Sequence, residues 1–298
     1  MPVPSLPQRE VSARIITVVT ALTLVAAMYR MPGEPIIAPP SMPGTPALEP
    51  ESGMSSPIPR MRFEYQLGNS LENRPLTAVV LGSGPDCCLI MASIHGNENR
   101  GTPIVDRLER FLSQRLDLLI GRRVALYATV NPDGVASNSR WNSSGVDLNR
   151  NFPAENRENR PRYGMTALSE PESAAIQRLV DLVNPNRIVS LHEPLDAVDY
   201  DGPAEDLADA MAQHCPLKVR KLGTRPGSLG AYAGESLQIP IITLELPDSA
   251  RLMSDRELWH AYSPAMMAAI LFPEPLSEQH VRSIRQFESL VIPEPPSP

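Results

Sequence analysis

An α/β fold is the architecture this sequence predicts: one domain with a mixed, mainly parallel central sheet flanked by helices. Two observations lead there. Short apolar runs alternate with longer segments of helical periodicity through residues 62–272, the pattern of crossover-connected sheets. One of these runs, Cys88–Ile94 (CLIMASI), is apolar almost without a break, as a strand covered on both faces must be. No fixed-period repeat is visible, so a repeat architecture is set aside.

The elements follow in order. Thr77–Gly82 (TAVVLG) reads as a strand and Cys88–Ile94 as a second, buried one. Thr102–Leu119 reads as a helix, because Ile104, Val105, Leu108, Leu112 and Leu116 recur at helical spacing. Val124–Val130 (VALYATV) is a strand, Glu172–Val183 a helix, Arg187–Leu191 (RIVSL) a strand, Ala204–His214 a helix and Pro240–Leu246 (PIITLEL) a strand. Two more helices, over about residues 255–271 and 277–292, end the pattern. In such sheets ligands collect beyond the carboxyl ends of the strands. Cys87 and Cys88 are adjacent, so within a strand they face opposite sides and do not pair. With Cys215 the count is odd and no CxxC occurs, which reads as three small core residues.

Of the 298 residues 42% are hydrophobic and 20% charged, the net charge is −7, and no basic block stands out. A binder of nucleic acid driven by counterion release is excluded on that ground. The 33 prolines are concentrated rather than spread, nine of them in residues 31–60. Ahead of them Ile15–Tyr29 is an uncharged apolar run preceded by Arg9 and Arg14. Fifteen helical residues span roughly 22 Å, short for a hydrocarbon core of ~30 Å. The run suits a signal-peptide core, with Val25-Ala26-Ala27 as a small-residue cleavage site, or an uncleaved anchor. The expected organisation is therefore a signal peptide or membrane anchor (1–30), a proline-rich linker (31–61), a catalytic domain (62–272), and a C-terminal helix with a proline-rich tail (273–298). The expected location is exported, periplasmic or membrane-anchored; the alternative is a buried helix in a cytoplasmic protein.

The chemistry-bearing residues sit just after the strands. His95 and Glu98, three apart on the turn leaving CLIMASI, can both reach one cation. After RIVSL comes His192-Glu193, and His192 could complete a His, Glu, His set with a fourth position open, as in catalytic rather than structural zinc sites. Glu245, near the end of PIITLEL, could move a proton between an attacking water and a leaving nitrogen. In the polar, turn-rich segment 140–153, Arg140 and Arg150 offer fixed positive charge to a carbonyl oxygen and a carboxylate, and Asp147 could orient a ligating histidine. Each feature alone has an ordinary structural explanation; their order is what argues otherwise.

That order is HGNE (His95–Glu98), NPDG (Asn131–Gly134), GVDLNRNFP (Gly145–Pro153), SLHEP (Ser190–Pro194) and ITLELP (Ile242–Pro247), preceded by Gly68–Leu76, which is similar to a G-x-S-x-x-x-R-P pattern. The series resembles the zinc carboxypeptidase family across residues 68–247. The resemblance implies one zinc ion per chain held by His95, Glu98 and His192, with Asp147 behind His95. It implies Arg140 polarising the scissile carbonyl, Asn149 and Arg150 gripping a substrate carboxylate, and Glu245 as general base. The short loop before GVDLNRNFP and the segment Arg225–Tyr232 look most like the bacterial murein tripeptide amidases, which cut between γ-D-glutamate and meso-diaminopimelate. A small cell-wall peptide is the substrate this implies. The mobile tyrosine of the digestive members has no counterpart here: Leu222 stands at its position, and Tyr232 is out of register. The amine of diaminopimelate calls for an acidic partner, with Glu193, Asp196 and Glu235 as candidates. Two other readings compete: a general metallocarboxypeptidase or N-acyl-amino-acid deacylase of the same fold, and a non-catalytic cell-wall-binding module.

Overall fold

The computed structural model describes residues 62–291, with side chains through Phe287. The apolar run at residues 15–29, the proline-rich stretch 31–61 and the tail 292–298 lie outside the described residues. Seven strands form the sheet: β1 (Arg62–Asn69), β2 (Pro75–Gly82), β3 (Asp86–Ala92), β4 (Arg122–Tyr127), β5 (Arg187–His192), β6 (Leu195–Asp201) and β7 (Ile241–Pro247). Their spatial order is β1-β2-β4-β3-β5-β7-β6. The four central strands run parallel, and β1, β2 and β6 complete the sheet antiparallel to their neighbours.

Period-two alternation divides the core between the two faces of this sheet. From β3, Cys88, Ile90 and Ala92 join a layer built with Ile104 and Leu108 of α1 (Thr102–Gln114), Leu207 and Met211 of α4 (Glu205–Ala212) and Leu258 of α5 (Asp255–Leu271). Cys87, Leu89 and Met91 face the other layer, where α3 (Pro171–Val183) contributes Ala175, Ile176 and Leu179. Both faces are thus buried, which is why the strand reads as one apolar run. The two cysteines are free and on opposite sides, and burial pushes the Cys88 thiol up to about 12. A short α2 (Pro132–Ala136) and a terminal α6 (Glu278–Val291) complete the helices.

Four elements differ from the sequence expectation. The helix expected over Thr102–Leu119 stops at Gln114, where Arg115 takes φ −130°, and Leu116–Leu119 make a separate 3-10 turn. The strand expected to reach Val130 ends at Tyr127. Strands β1 and β6 carry no apolar run: β1 buries only Leu67, and β6 (LDAVDYD) contains three aspartates. The remaining geometry sets up the site, because β3, β5 and β7 are adjacent and parallel and their carboxyl ends open on one edge.

Candidate metal centre

His95 and Glu98 occupy the turn that leaves β3, and His192 is the last residue of β5. One ligand atom from each lies within 4.8 Å of the others, and the two imidazole centroids are 5.0 Å apart. Glu98 Oε2 is 2.9 Å from His95 Nδ1 and 3.0 Å from His192 Nδ1, so the three donors converge on a common point. All three side chains are buried. Two imidazoles and a carboxylate, desolvated and clustered with no thiol, form a donor set suited to zinc with a coordination position left open. Burial by itself raises the Glu98 carboxyl, but hydrogen bonds from His192 and His95 outweigh it and hold Glu98 well below the ordinary carboxylate range.

The surroundings fix these ligands. Asp147 Oδ1 lies 3.1 Å from His95 Nε2, leaving Nδ1 to face the cluster. Arg140 reaches across to both carboxylates, Nη1 donating to Glu98 Oε1 (2.9 Å) and Nε to Asp147 Oδ2 (3.1 Å). Although burial opposes it, the His95 contact and the charges of Arg140 and Arg150 keep Asp147 ionised far down the pH scale.

Two of the glycines in the motifs explain how the turn is held. A Cβ on Gly96 would lie 2.0 Å from the carbonyl carbon of Gly134, so the turn after β3 packs directly on the backbone of α2. Asn131 caps that helix through Gly134 N (2.8 Å) and reaches Ile94 O (3.4 Å). The adjoining Asp133 is bound by Ser70 Oγ (2.7 Å), Arg74 Nη1 (2.6 Å), Glu72 N (3.1 Å) and Ser143 Oγ (3.0 Å). Ser70, Arg74 and NPDG therefore form one scaffold beneath the ligand turn, and none of them lines the cavity at the cluster.

Glu245 projects from β7 directly opposite His192 in the parallel register. It is 8% exposed, and burial, reinforced by the Glu98 charge, raises its carboxyl above the usual value against the pull of His192. A cavity of about 220 Å³ is lined by the three ligands, Arg140, Asn149, Arg150 and Glu245, room for a residue-sized ligand. Asn149 Oδ1 accepts from Leu229 N (2.8 Å), which leaves its amide nitrogen to donate into the cavity. Leu222 lines the cavity as well. Tyr232 does not: it is buried, stacks on Phe152 at 6.0 Å and donates to Gln177.

All eight residues singled out from the sequence therefore meet in one region. Of the acidic residues expected near a substrate amine, Asp196 and Glu235 are exposed, and Glu193 lines the cavity with its Oε1 already taken by Arg100 N (2.8 Å). Asp199 and Asp201 of β6 line the cavity instead. Sequence reading missed them because β6 lacks the apolar pattern that marks a strand. The two-residue spacing of Asp199 and Asp201 within LDAVDYD was the available signal.

A sheet whose parallel strands deliver two imidazoles and a carboxylate to one edge, with a second carboxylate opposite, defines a metal-dependent hydrolase. The chain belongs to the zinc carboxypeptidase family, whose profile matches residues 53–200. It is 33% identical over 177 residues to murein peptide amidase A of Escherichia coli K12, covering 53% of this chain and 70% of that protein. The crystal structure of murein-tripeptide amidase from Escherichia coli O157 superposes with a TM-score of 0.50 at 26% identity, covering 75% of this chain and 90% of that one. Bovine thrombin-activatable fibrinolysis inhibitor, at 18% identity, shares the fold with a TM-score of 0.60 over 78% of this chain and 92% of its own.

Proposed function

We propose that this hydrolase cuts the amide between γ-D-glutamate and meso-diaminopimelate in small murein peptides. The observation that carries the reading is one cavity containing His95, Glu98 and His192, Glu245 opposite them, and Asn149 and Arg150 placed for a carboxylate. The likeness to murein peptide amidase A supports the choice of peptide. His95, Glu98 and His192 would hold one zinc ion, which when bound supplies Lewis acidity to a water molecule and to the scissile carbonyl.

The chain's own groups supply the rest. Glu245, raised by burial and aimed at the ligand cluster, takes a proton from the attacking water at its carboxylate and delivers it to the departing amine. Arg140 is held in place by Glu98 and Asp147 through Nη1 and Nε, so Nη2 is the guanidinium nitrogen left to meet the developing oxyanion. The Asn149 amide and the Arg150 guanidinium bind the free carboxylate next to the cut bond, which fixes that bond over Glu245. The test is the zinc-loaded full chain incubated with L-alanyl-γ-D-glutamyl-meso-diaminopimelate and, separately, with N-acyl amino acids, product masses being read out. Release of diaminopimelate from the peptide is expected. Cleavage of the N-acyl substrates alone, or of neither class, overturns the reading.

A further inference from the structure

The cavity does not end at the ligand cluster but continues to β6, where Asp199 and Asp201 form part of its wall together with Arg225 and Gly230. Two residues apart on one strand, the two aspartates share a face. Asp201 is 4% exposed, yet its Oδ1 has no hydrogen-bond partner. Its Oδ2 is pressed against Gly230, where a Cβ would stand 2.0 Å from that oxygen, so a glycine there is what lets the carboxylate occupy the wall. Asp199, 6% exposed, accepts from Leu222 N (2.7 Å).

No protein cation forms an ion pair with either aspartate among the described residues. The Lys221 ammonium sits 4.7 Å from the Tyr200 ring centroid and forms no ion pair with either aspartate among the described residues. Burial, then the charges of Asp199 on the same strand and Glu235 on the segment Gly230–Ser236, push the Asp201 carboxyl up to about 6, with Lys221 opposing them only weakly. A buried acceptor without a donor is expensive, and native folds seldom keep one without a use. An ammonium group is the matching donor: it neutralises charge and offers three N–H groups. Arg225 lines the same stretch of wall, and its charge acts on Asp199. A fixed cation there disfavours a bare lysine end and favours a carboxylate carried beside the amine.

We propose that Asp201, backed by Asp199, seats an ammonium group at the far end of the leaving residue's side chain, and that Arg225 receives a carboxylate borne on the same carbon. The cavity then selects a residue whose side chain itself ends as an amino acid, as meso-diaminopimelate does. This rests on the proposed reaction for which residue lies toward β6, but the seat has a readout independent of turnover.

The experiment is calorimetric titration of the zinc-loaded full chain with meso-diaminopimelate, with lysine (distal amine, no distal carboxylate) and with 2-aminopimelate (distal carboxylate, no distal amine). Wild type is expected to bind meso-diaminopimelate roughly ten- to hundred-fold tighter than 2-aminopimelate, the range for a charge-assisted hydrogen bond. In Asp201→Asn that preference collapses, and in Arg225→Gln the preference over lysine collapses. Thermal melting of both variants checks that they are folded. Wild type that does not favour meso-diaminopimelate, or an Asp201→Asn variant that keeps the preference, overturns the proposal. Turnover separates the two readings: selective binding without peptide cleavage sinks the reaction and spares the seat, whereas cleavage with an unchanged preference in Asp201→Asn sinks only the seat.

Discussion

In the proposed reaction Glu245 and Arg140 act at different moments, so their loss should leave different traces. Glu245→Gln keeps the shape of the side chain and touches none of the three ligands, so zinc content by elemental analysis should stay near one per chain while turnover falls ~10²–10⁴-fold. Arg140→Ala removes a donor that also braces Glu98 and Asp147. Its turnover should drop by ~10²–10³, with a folded, metal-binding protein remaining. Asp201 allows a prediction about stability. Its carboxyl goes from an ordinary value of 3.8 to about 6 on folding, so the folded chain holds that proton more tightly than the unfolded one. The stability linked to it is complete below pH ~4 and is lost as pH rises through ~6. At 1.36 kcal/mol per unit, the penalty at neutral pH is of order 1–3 kcal/mol. Asp201→Asn should therefore melt higher than wild type at pH 7.5 and equally at pH 4, and an equal gap at both values would refute the linkage. That His95, Glu98, His192 and Glu245 come together was legible in the sequence because they sit in short motifs at strand ends. Asp199 and Asp201 were not, because which aspartate of LDAVDYD faces the cavity depends on antiparallel pairing with β7, and that pairing is a tertiary fact.

Among the elements, those with buried patterns could be read and those at the sheet's edges could not. Strands β3, β5 and β7 are covered on both faces, so their apolar runs announced them; β1 and β6 owe their pairing to neighbours rather than to their own composition. Helix α1 was read too long because Leu116 and Leu119 continue the apolar spacing after the chain has turned at Arg115 into a 3-10 segment. The turn after β3 is where an element decides chemistry, since it carries two of the three ligands on backbone packed against Gly134. Gly96→Ala places a Cβ 2.0 Å from the Gly134 carbonyl carbon, and neither backbone can yield without moving His95 and Glu98. The variant should lose ~1–3 kcal/mol of stability, the usual cost of overpacking, and bind zinc more weakly. Competition with a chromogenic chelator measures the second effect; unchanged zinc affinity would show that the turn is not set by this contact.

For the whole molecule, the site and the outer helical layer answer to different parts of the core. The cavity draws its residues from the carboxyl ends of β3, β5 and β7, from β6, and from the loops beyond them, and takes none from α6. Helix α6 instead closes the layer formed by α1 and α5: Ile284 is fully buried, its carbonyl accepts from Trp259 Nε1 (3.2 Å), and Phe287 packs on Phe111 and Trp259 with ring centroids 5.3 and 5.9 Å away. Truncating Ile284 to Ala opens a void where α6 meets that layer, at a cost of ~2–5 kcal/mol. In a domain of this size 1 kcal/mol corresponds to about 2–4 °C in Tm, so the midpoint should fall by at least about 4 °C, accompanied by a red shift in tryptophan emission as Trp259 loses its cover. Below the transition, kcat/KM and zinc content should match wild type, because no ligand, catalytic or cavity residue has lost a contact. A variant that melts normally would mean that α6 is dispensable to the core. One that melts early and also loses kcat/KM at low temperature would mean that the helical layer and the strand ends are coupled, contrary to the separation these contacts describe.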